Sequence, residues 1–293
     1  IDNVNGGKVL FDLYAQTGDE RYKIAMDTLR KQMAEQPRTS EGGFWHKLRY
    51  PHQMWLDGIF MASPYLVQYG ATFDEPALFD EATKQILLIK SKTYDPATGL
   101  YYHGWDESHE QKWSNPETGC SPNFWSRSIG WYGAAIVDVL DFLPQETAGR
   151  DSIIQILQGL AKAIVKYQDP SSGTWYQVTD QGAREGNYLE SSATALFIYT
   201  LAKAINKGYI GNEYIEPTQK AFDGMVKTFT RLEEDGSYTI TNCCAVAGLG
   251  GDSKRYRDGS FEYYISEPII ENDPKSVGSF ILAAIEYEKM TKK

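Results

Sequence analysis

The sequence alternates between two kinds of helical segment, and this alternation restricts the possible fold more than any other feature. Three segments are apolar on nearly all sides and rich in small residues, at 54–69, 125–142 and 188–206. Four others have one apolar and one charged face, at 19–35, 76–93, 149–168 and 213–232. A helix that is apolar all round is buried, whereas an amphipathic helix covers a core. The pattern therefore predicts an inner and an outer layer of helices.

Two further helical segments, 4–15 and 275–290, bring the prediction to nine helices with few strands. A unit of outer helix, long loop and inner helix recurs roughly every 55 to 75 residues, which indicates a solenoid or a closed ring. The sequence thus predicts an all-α toroid, an (α/α)6 barrel, as a single domain over residues 1–293. The first segment has the pattern of an inner helix, so we expect further N-terminal helices before Ile1. A smaller or open ring is the alternative.

The loops that lead from outer to inner helices are rich in glycine, aromatic and turn residues. Two contain the pattern Asp-Pro-x-x-Gly, at 95–99 and 169–173, in which Pro fixes one dihedral angle and Gly accepts a positive φ. All these loops should lie at one end of the ring, because each runs in the same direction between the layers. The four His and six of the seven Trp fall in or near them. Tryptophan stacks on the apolar faces of sugar rings, so this clustering favours a sugar-binding mouth over simple loop packing.

Composition excludes several classes of partner. The chain has 293 residues, a formal net charge of -10 and a pI near 5.0, which disfavours binding to nucleic acid. No window approaches the roughly 18 uncharged apolar residues of a membrane span, and no signal peptide is visible. Three cysteines, Cys120, Cys243 and Cys244, form neither a disulfide framework nor a zinc-site pattern, so we expect free thiols. The sequence predicts no metal or cofactor and does not indicate an oligomeric state.

Asp57 is the leading candidate for a catalytic group. It lies in the stretch YPHQMWLDGIFMASPYL, residues 50–66, among large apolar side chains at the start of an inner helix. The helix N-terminus favours the carboxylate while the apolar neighbours oppose ionisation, so we expect its proton to be available near neutral pH. Asp2 precedes Asp57 by 55 residues, about one repeat, which predicts that the two carboxylates face the same cleft. For Asp57 the alternative is a helix-start cap or a partly buried ion pair, and for Asp2 it is an N-cap.

Basic residues suggest a carboxylated substrate. Arg127 lies in FWSRSIGWY, residues 124–132, at the start of a third inner helix. A buried arginine there requires an anionic partner, either a substrate carboxylate or a protein carboxylate such as Glu190. Lys47 and His103 add positive or proton-donating character at the same end of the ring.

Taken together, these residues resemble glycoside hydrolase family 105, the unsaturated rhamnogalacturonyl hydrolases, with the unsaturated glucuronyl hydrolases as more distant relatives. The resemblance covers nearly the whole chain and runs through 50–66 and through DNVNGG (2–7), GGFWHK (42–47), LYYHGWDES (100–108) and SPNFWSRSIGWYG (121–133). It implies an (α/α)6 barrel. The compartment is not readable from the sequence, and the cytoplasm or the periplasm of a bacterium is the expectation. The implied substrate is a pectin fragment whose non-reducing end is a 4,5-unsaturated galacturonic acid linked to rhamnose.

The resemblance also implies roles for individual residues. Asp57 matches the general acid/base, which protonates C4 of the double bond and activates the water that adds at C5. Asp2 matches a second essential carboxylate that helps to hold the sugar hydroxyls. The positions that match pocket-lining residues are His46, Lys47, Trp55, His103, Trp125, Arg127 and Trp131. Arg127 and Lys47 are both candidates for the contact with the uronate carboxylate.

Other functions stay open at this point. Sugar 2-epimerases also use α/α barrels and require two histidines facing C2 of the sugar, which His46 and His103 could supply. A sugar-binding module without catalysis is a second alternative. A third is an unsaturated glucuronyl hydrolase that takes a different aglycone.

Overall fold

The protein, described here from a computed structural model over residues 1–251 and 256–292, consists mainly of helices. Over these residues there are ten α-helices: α1 (Lys8–Thr17), α2 (Glu20–Glu35), α3 (Leu56–Phe73), α4 (Ala77–Thr93), α5 (Ser126–Phe142), α6 (Arg150–Lys166), α7 (Ser191–Asn206), α8 (Ile215–Phe229), α9 (Phe261–Ser266) and α10 (Pro274–Thr291). Short 3-10 helices at Asp2–Gly7 and Asn212–Tyr214 lead into α1 and α8. All nine predicted helices are present. The additional helix, α9, has six residues and is too short to produce a periodic signal.

Burial separates the helices into two layers. In α3, α5 and α7, 12 of 18, 14 of 17 and 14 of 16 residues are buried, whereas α6 and α8 bury 7 of 17 and 4 of 15. Helix α3 packs against α5, α5 against α7 and α7 against α10, with α4, α6 and α8 on the outside. This alternation confirms the predicted α/α toroid. Helix α1 is less enclosed than the other inner helices, since it buries only Phe11. The expectation that more helices precede Ile1 stays a prediction.

Small residues bring the inner helices close together. Gly130 of α5 faces Leu196 of α7, and a Cβ added at Gly130 would lie 2.7 Å from the Leu196 Cβ. Both residues are buried in the largest apolar cluster or beside it. At this crossing, α5 and α7 are therefore so close that position 130 has room for glycine only.

Short strands join the loops at one end of the ring. Three two-stranded antiparallel ladders pair β1 (Gln53–Trp55) with β2 (Gly104–Asp106), β3 (Thr230–Leu232) with β4 (Tyr238–Ile240), and β5 (Cys243–Cys244) with β6 (Ile269–Ile270). In the first ladder Trp55 lies opposite Gly104, so the residues that follow β1 and precede β2 are brought together. A further bridge joins Trp125, just before α5, to Val178 in the loop before α7. The loops before the inner helices thus meet at one end, as predicted.

The predicted turns and thiols are also present. Gly99 and Gly173 have φ of 82° and 75°, and each donates its N–H to the carbonyl of the aspartate that opens its turn, Asp95 or Asp169, at 2.8 Å. The three cysteines are free and buried. In the described part of the chain, every helix is too short or too polar to span a bilayer.

Candidate active site

A cavity of about 340 Å³ opens at the end of the ring where the loops meet. Its walls contain eight of the nine predicted site residues: Asp2, His46, Lys47, Trp55, Asp57, Trp125, Arg127 and Trp131. A wider groove of about 500 Å³ lies on the outside of the ring between α4 and α6, and its walls contain no His, Asp or Glu. The cavity at the mouth is therefore the better candidate of the two, because two carboxylates, a histidine and three tryptophans converge there.

Asp57 occupies the first turn of α3, immediately after β1. Its Oδ2 lies 3.1 Å from Nε2 of His103, and its side chain is only 13% exposed. Burial raises the pKa of the Asp57 carboxyl, but the neighbouring His103 and, to a lesser extent, His46 lower it, and the net pKa falls below its ordinary value. This lowered pKa contradicts the expectation that the Asp57 proton is available near neutral pH as long as the adjacent imidazole is charged, because that charge outweighs desolvation.

His103 lies behind Asp57 and does not line the cavity. It has no exposed surface, and its Nδ1 is 2.8 Å from the hydroxyl of Tyr264 on α9. The ring is enclosed by Trp125 and Trp55, with centroid distances of 4.7 and 5.3 Å. The other eight predicted residues line the cavity. His103 contacts Asp57 from behind and does not face a ligand in the cavity.

His46 connects the second carboxylate to the aromatic wall. Its ring stacks on Trp55 at 4.2 Å with an interplanar angle of 16°, and its Nε2 lies 3.4 Å from Oδ1 of Asp2. Burial lowers the pKa of His46 to about 4, although Asp2 and Asp57 partly oppose this shift. His46 is therefore neutral at pH 7. The charge on Asp2 is instead balanced by Lys47, whose Nζ is 2.6 Å from Asp2 Oδ2.

Arg127 is bound to the protein on several sides. Its Nε donates to Ser192 Oγ at 2.6 Å, and its Nη2 donates to Glu190 Oε1 at 3.1 Å and to the carbonyl of Cys244. Arg127 and Glu190 are 1% and 0% exposed. The sequence left open whether Arg127 meets a substrate carboxylate or a protein carboxylate, and in the structure its partner is the carboxylate of Glu190. A substrate anion would meet an arginine whose charge is already compensated.

Aromatic side chains form the remaining wall. Trp125 is buried and donates its indole N–H to Gln177 Oε1 at 3.1 Å, which fixes the orientation of the ring. Trp131 lies one and a half turns further along α5, and its ring is 4.5 Å from that of Phe60. With Trp55, these rings make up the aromatic wall of the cavity. Trp131 is the most exposed of the three, at 8%, and is therefore the candidate for stacking on a sugar ring.

Sequence reasoning missed several residues of the cavity. Arg257 and Lys275 add two basic side chains from the loop before α9 and from the first turn of α10. Lys275 is paired with Asp273 at 2.7 Å, and the backbone of Arg257 bridges to Gly250. Arg257 lies in a loop without a periodic pattern. Lys275 begins the predicted helix 275–290, but the pattern of that helix does not show that its first turn reaches the mouth. Within the described ranges, no three His, Cys, Asp or Glu side chains are grouped so that they could hold a metal ion.

An α/α toroid with paired carboxylates and tryptophans at its mouth is typical of enzymes that act on sugars. The model of glycosyl hydrolase family 88 matches residues 1–291, so the chain belongs to this family and is a glycosidase. This match and the similarity to solved family 105 structures confirm the resemblance drawn from the sequence.

Several known proteins are similar to this chain. Protein Atu3128 of Agrobacterium fabrum is 37% identical over 230 residues, which are 77% of this chain and 97% of that protein. The unsaturated rhamnogalacturonyl hydrolase YesR of Bacillus subtilis is 28% identical over 242 residues, 80% of this chain and 64% of YesR. The structure of a family 105 glycoside hydrolase from C. acetobutylicum ATCC 824 superposes with a TM-score of 0.96 at 44% identity, covering 98% of this chain and 79% of that one.

Proposed function

We propose that the protein removes 4,5-unsaturated galacturonic acid from the non-reducing end of rhamnogalacturonan oligosaccharides. The observation that carries the proposal is the placement of Asp57 in a cavity walled by Trp55, Trp125 and Trp131, with a second carboxylate, Asp2, in the same wall. The similarity to YesR, whose name states this activity, supports the choice of rhamnogalacturonan.

In the proposed reaction, Asp57 delivers a proton to C4 of the vinyl ether double bond. The cation that develops at C5 takes up water, and the Asp57 carboxylate accepts a proton from that water. The resulting C5 hemiketal opens to a ketone, leaving C1 as a hemiacetal that releases the aglycone as an alcohol. One water is consumed in the addition, and Asp57 returns to its starting state.

The other walls have separate roles in this proposal. Asp2, held by Lys47 at 2.6 Å, accepts hydrogen bonds from the sugar hydroxyls. The substrate carboxylate is met by the basic side of the cavity, to which Lys47, Arg257 and Lys275 contribute. Arg127 supports the wall from behind, since its guanidinium is compensated by Glu190.

The test uses the ultraviolet absorbance of the conjugated double bond, which hydration abolishes. The substrates are the unsaturated galacturonyl–rhamnose disaccharide and, in parallel, an unsaturated glucuronyl disaccharide. We expect the wild type to remove the absorbance of the first, and Asp57→Asn to reduce the rate by at least about 10³-fold, because the proton donor is lost.

Asp151 provides a matched control, since it is the second residue of α6 as Asp57 is of α3, but lies exposed on the outer layer. Asp151→Asn should retain the wild-type rate. Turnover of the glucuronyl substrate alone would contradict the galacturonyl assignment. A wild type inactive on both, or an Asp57→Asn variant as active as the wild type, would refute the proposed reaction.

A further inference from the structure

A chain of two buried side chains leads away from Asp57 into the protein. His103 stands in the middle, with Nε2 3.1 Å from Asp57 Oδ2 and Nδ1 2.8 Å from the Tyr264 hydroxyl. Tyr264 and His103 are both 0% exposed, so neither can touch a molecule in the cavity. The inference drawn from this chain rests on the proposed role of Asp57 as the acid.

The Asp57–His103 pair can hold a single proton in two ways. Either Asp57 is a carboxylic acid beside a neutral imidazole, or Asp57 is a carboxylate beside an imidazolium. Only the first arrangement offers a proton to a substrate. Interacting groups this close titrate as a unit, so the relative energy of the two arrangements decides how much of the acid is present.

The Tyr264 hydroxyl favours one of the two arrangements over the other through its hydrogen bond with Nδ1 of His103. Burial raises the pKa of Tyr264 well above its ordinary value, so its hydroxyl keeps its hydrogen. Over residues 1–251 and 256–292, the hydroxyl has one hydrogen-bond partner, Nδ1 of His103. A neutral imidazole with its hydrogen on Nε2 accepts that bond. An imidazolium donates from both nitrogens, which would leave the buried hydroxyl hydrogen without an acceptor, at an energetic cost.

We propose that Tyr264, acting through His103, is a positioning residue that keeps the imidazole neutral and so leaves the shared proton on Asp57. Nε2 then carries a hydrogen and lies 3.1 Å from Oδ2 of Asp57. The partial positive charge of this N–H group stabilises the carboxylate that forms when the proton moves to the substrate.

Other charged groups face this chain but do not bond to the Tyr264 hydroxyl. On the cavity side, Asp57 faces His46, and beyond it Asp2 and Lys47. On the far side, Tyr264 lies in the field of Cys244, Asp258 and Tyr263. Removing the hydroxyl leaves all of these in place, so Tyr264→Phe isolates the effect on His103.

The first readout is nitrogen NMR of the imidazole rings, which reports both tautomer and charge. The chain has four histidines, so the His103 signals can be assigned by His103→Gln. In the wild type we expect a neutral ring with hydrogen on Nε2 at neutral pH. In Tyr264→Phe the titration midpoint of His103 should rise by about one pH unit, the size expected for one lost hydrogen bond.

The second readout is the pH profile with the unsaturated disaccharide. Tyr264→Phe should lower kcat about tenfold while KM changes less than twofold, because more of the single-proton pair is the unproductive imidazolium form. The alkaline limb of the profile should move to higher pH, since the pair holds its proton more tightly. In a His103→Gln background, Tyr264→Phe should no longer move that limb.

Tyr132→Phe is the matched control, because Tyr132 is equally buried but donates to the backbone carbonyl of Ile86 at 3.0 Å. It should change neither the His103 titration nor the profile. An unchanged His103 midpoint in Tyr264→Phe, or a fall in kcat with an unmoved pH profile, would overturn the inference. If the wild type fails to act on the unsaturated disaccharide, the proposed function fails, while the NMR titration still tests the link between Tyr264 and His103.

Discussion

Replacing Glu190 by glutamine should cost much of the stability of the mouth. The Glu190 carboxylate is 0% exposed and faces the guanidinium of Arg127, which is 1% exposed. It also accepts from the N–H of Ala193 at 2.7 Å and of Cys244 at 2.9 Å, so it joins the start of α7 to β5. Arginine cannot give up its proton, so Glu190→Gln leaves a buried positive charge without compensation.

Breaking a buried pair in this way costs about 3 to 5 kcal/mol. For a domain of this size, that corresponds to a fall in Tm of roughly 5 to 8 °C. Arg127→Met should cost less stability, because Glu190 still accepts hydrogen bonds from the Ser192 hydroxyl and from two backbone N–H groups. The Glu190 carboxylate can also take up a proton and so lose its charge. The double variant should be less destabilised than the sum of the two single variants.

Thermal and urea unfolding, followed by circular dichroism, measure these differences. Glu146→Gln is a suitable control, because Glu146 is exposed in the loop before α6 and should leave Tm within about 1 °C of the wild type. A Tm for Glu190→Gln within 2 °C of the wild type would refute the argument that Arg127 depends on Glu190 for compensation. So would strict additivity in the double variant.

Two further predictions concern stability. Burial lowers the pKa of His46 to about 4 in the folded protein, whereas a histidine in the unfolded chain has a pKa of about 6.5. Between these two pKa values, the unfolded state binds a proton that the folded state does not. Stability should therefore fall by about 2 to 3 kcal/mol as the pH is lowered from 6.5 to 4.5, and His46→Gln should flatten this dependence; equal pH slopes in urea unfolding would contradict it. Gly130→Ala would place a Cβ 2.7 Å from Leu196 Cβ and should lower the free energy of unfolding by about 1 to 3 kcal/mol. Gly159 lies on the exposed face of α6, where a Cβ would meet no atom within 4 Å. Gly159→Ala should therefore raise the free energy of unfolding by up to about 1 kcal/mol. The same sign for both glycine variants in thermal unfolding would show that the close approach of α5 and α7 does not control the outcome.

The helical organisation could be predicted closely because it depends on local pattern. The all-round apolar character of α5 and α7 and the charged faces of α6 and α8 are properties of consecutive residues, and each face follows from a period of 3.6. The Asp-Pro-x-x-Gly turns were predictable for the same reason. Helix α9 was not, since six residues give too few periods, and neither were the two- and three-residue strands that join the loops.

The candidate site was predicted in part. Eight residues grouped by motif do line one cavity, because their motifs stand at the same end of successive inner helices. The ninth, His103, was expected in the wall and lies behind it. Its position depends on the pairing of β1 with β2, which the sequence does not encode in any periodic signal. Arg257 reaches the cavity from a loop with no periodic signal, and Lys275 from the first turn of α10, whose period does not show which surface that turn meets.

The sequence by itself thus determined the layers of helices, the end of the ring at which the candidate site lies and the carboxylate that we propose as its acid, because these follow from periodicity and from motifs within single segments. Only the tertiary structure decided which side chains these site residues contact. Arg127 bonds to Glu190, 63 residues away, and Asp57 meets His103, which in turn meets Tyr264, 161 residues further on. Charge compensation and proton placement depend on distances of about 3 Å between atoms from different helices and loops. Such distances are fixed only when the inner and outer layers have packed.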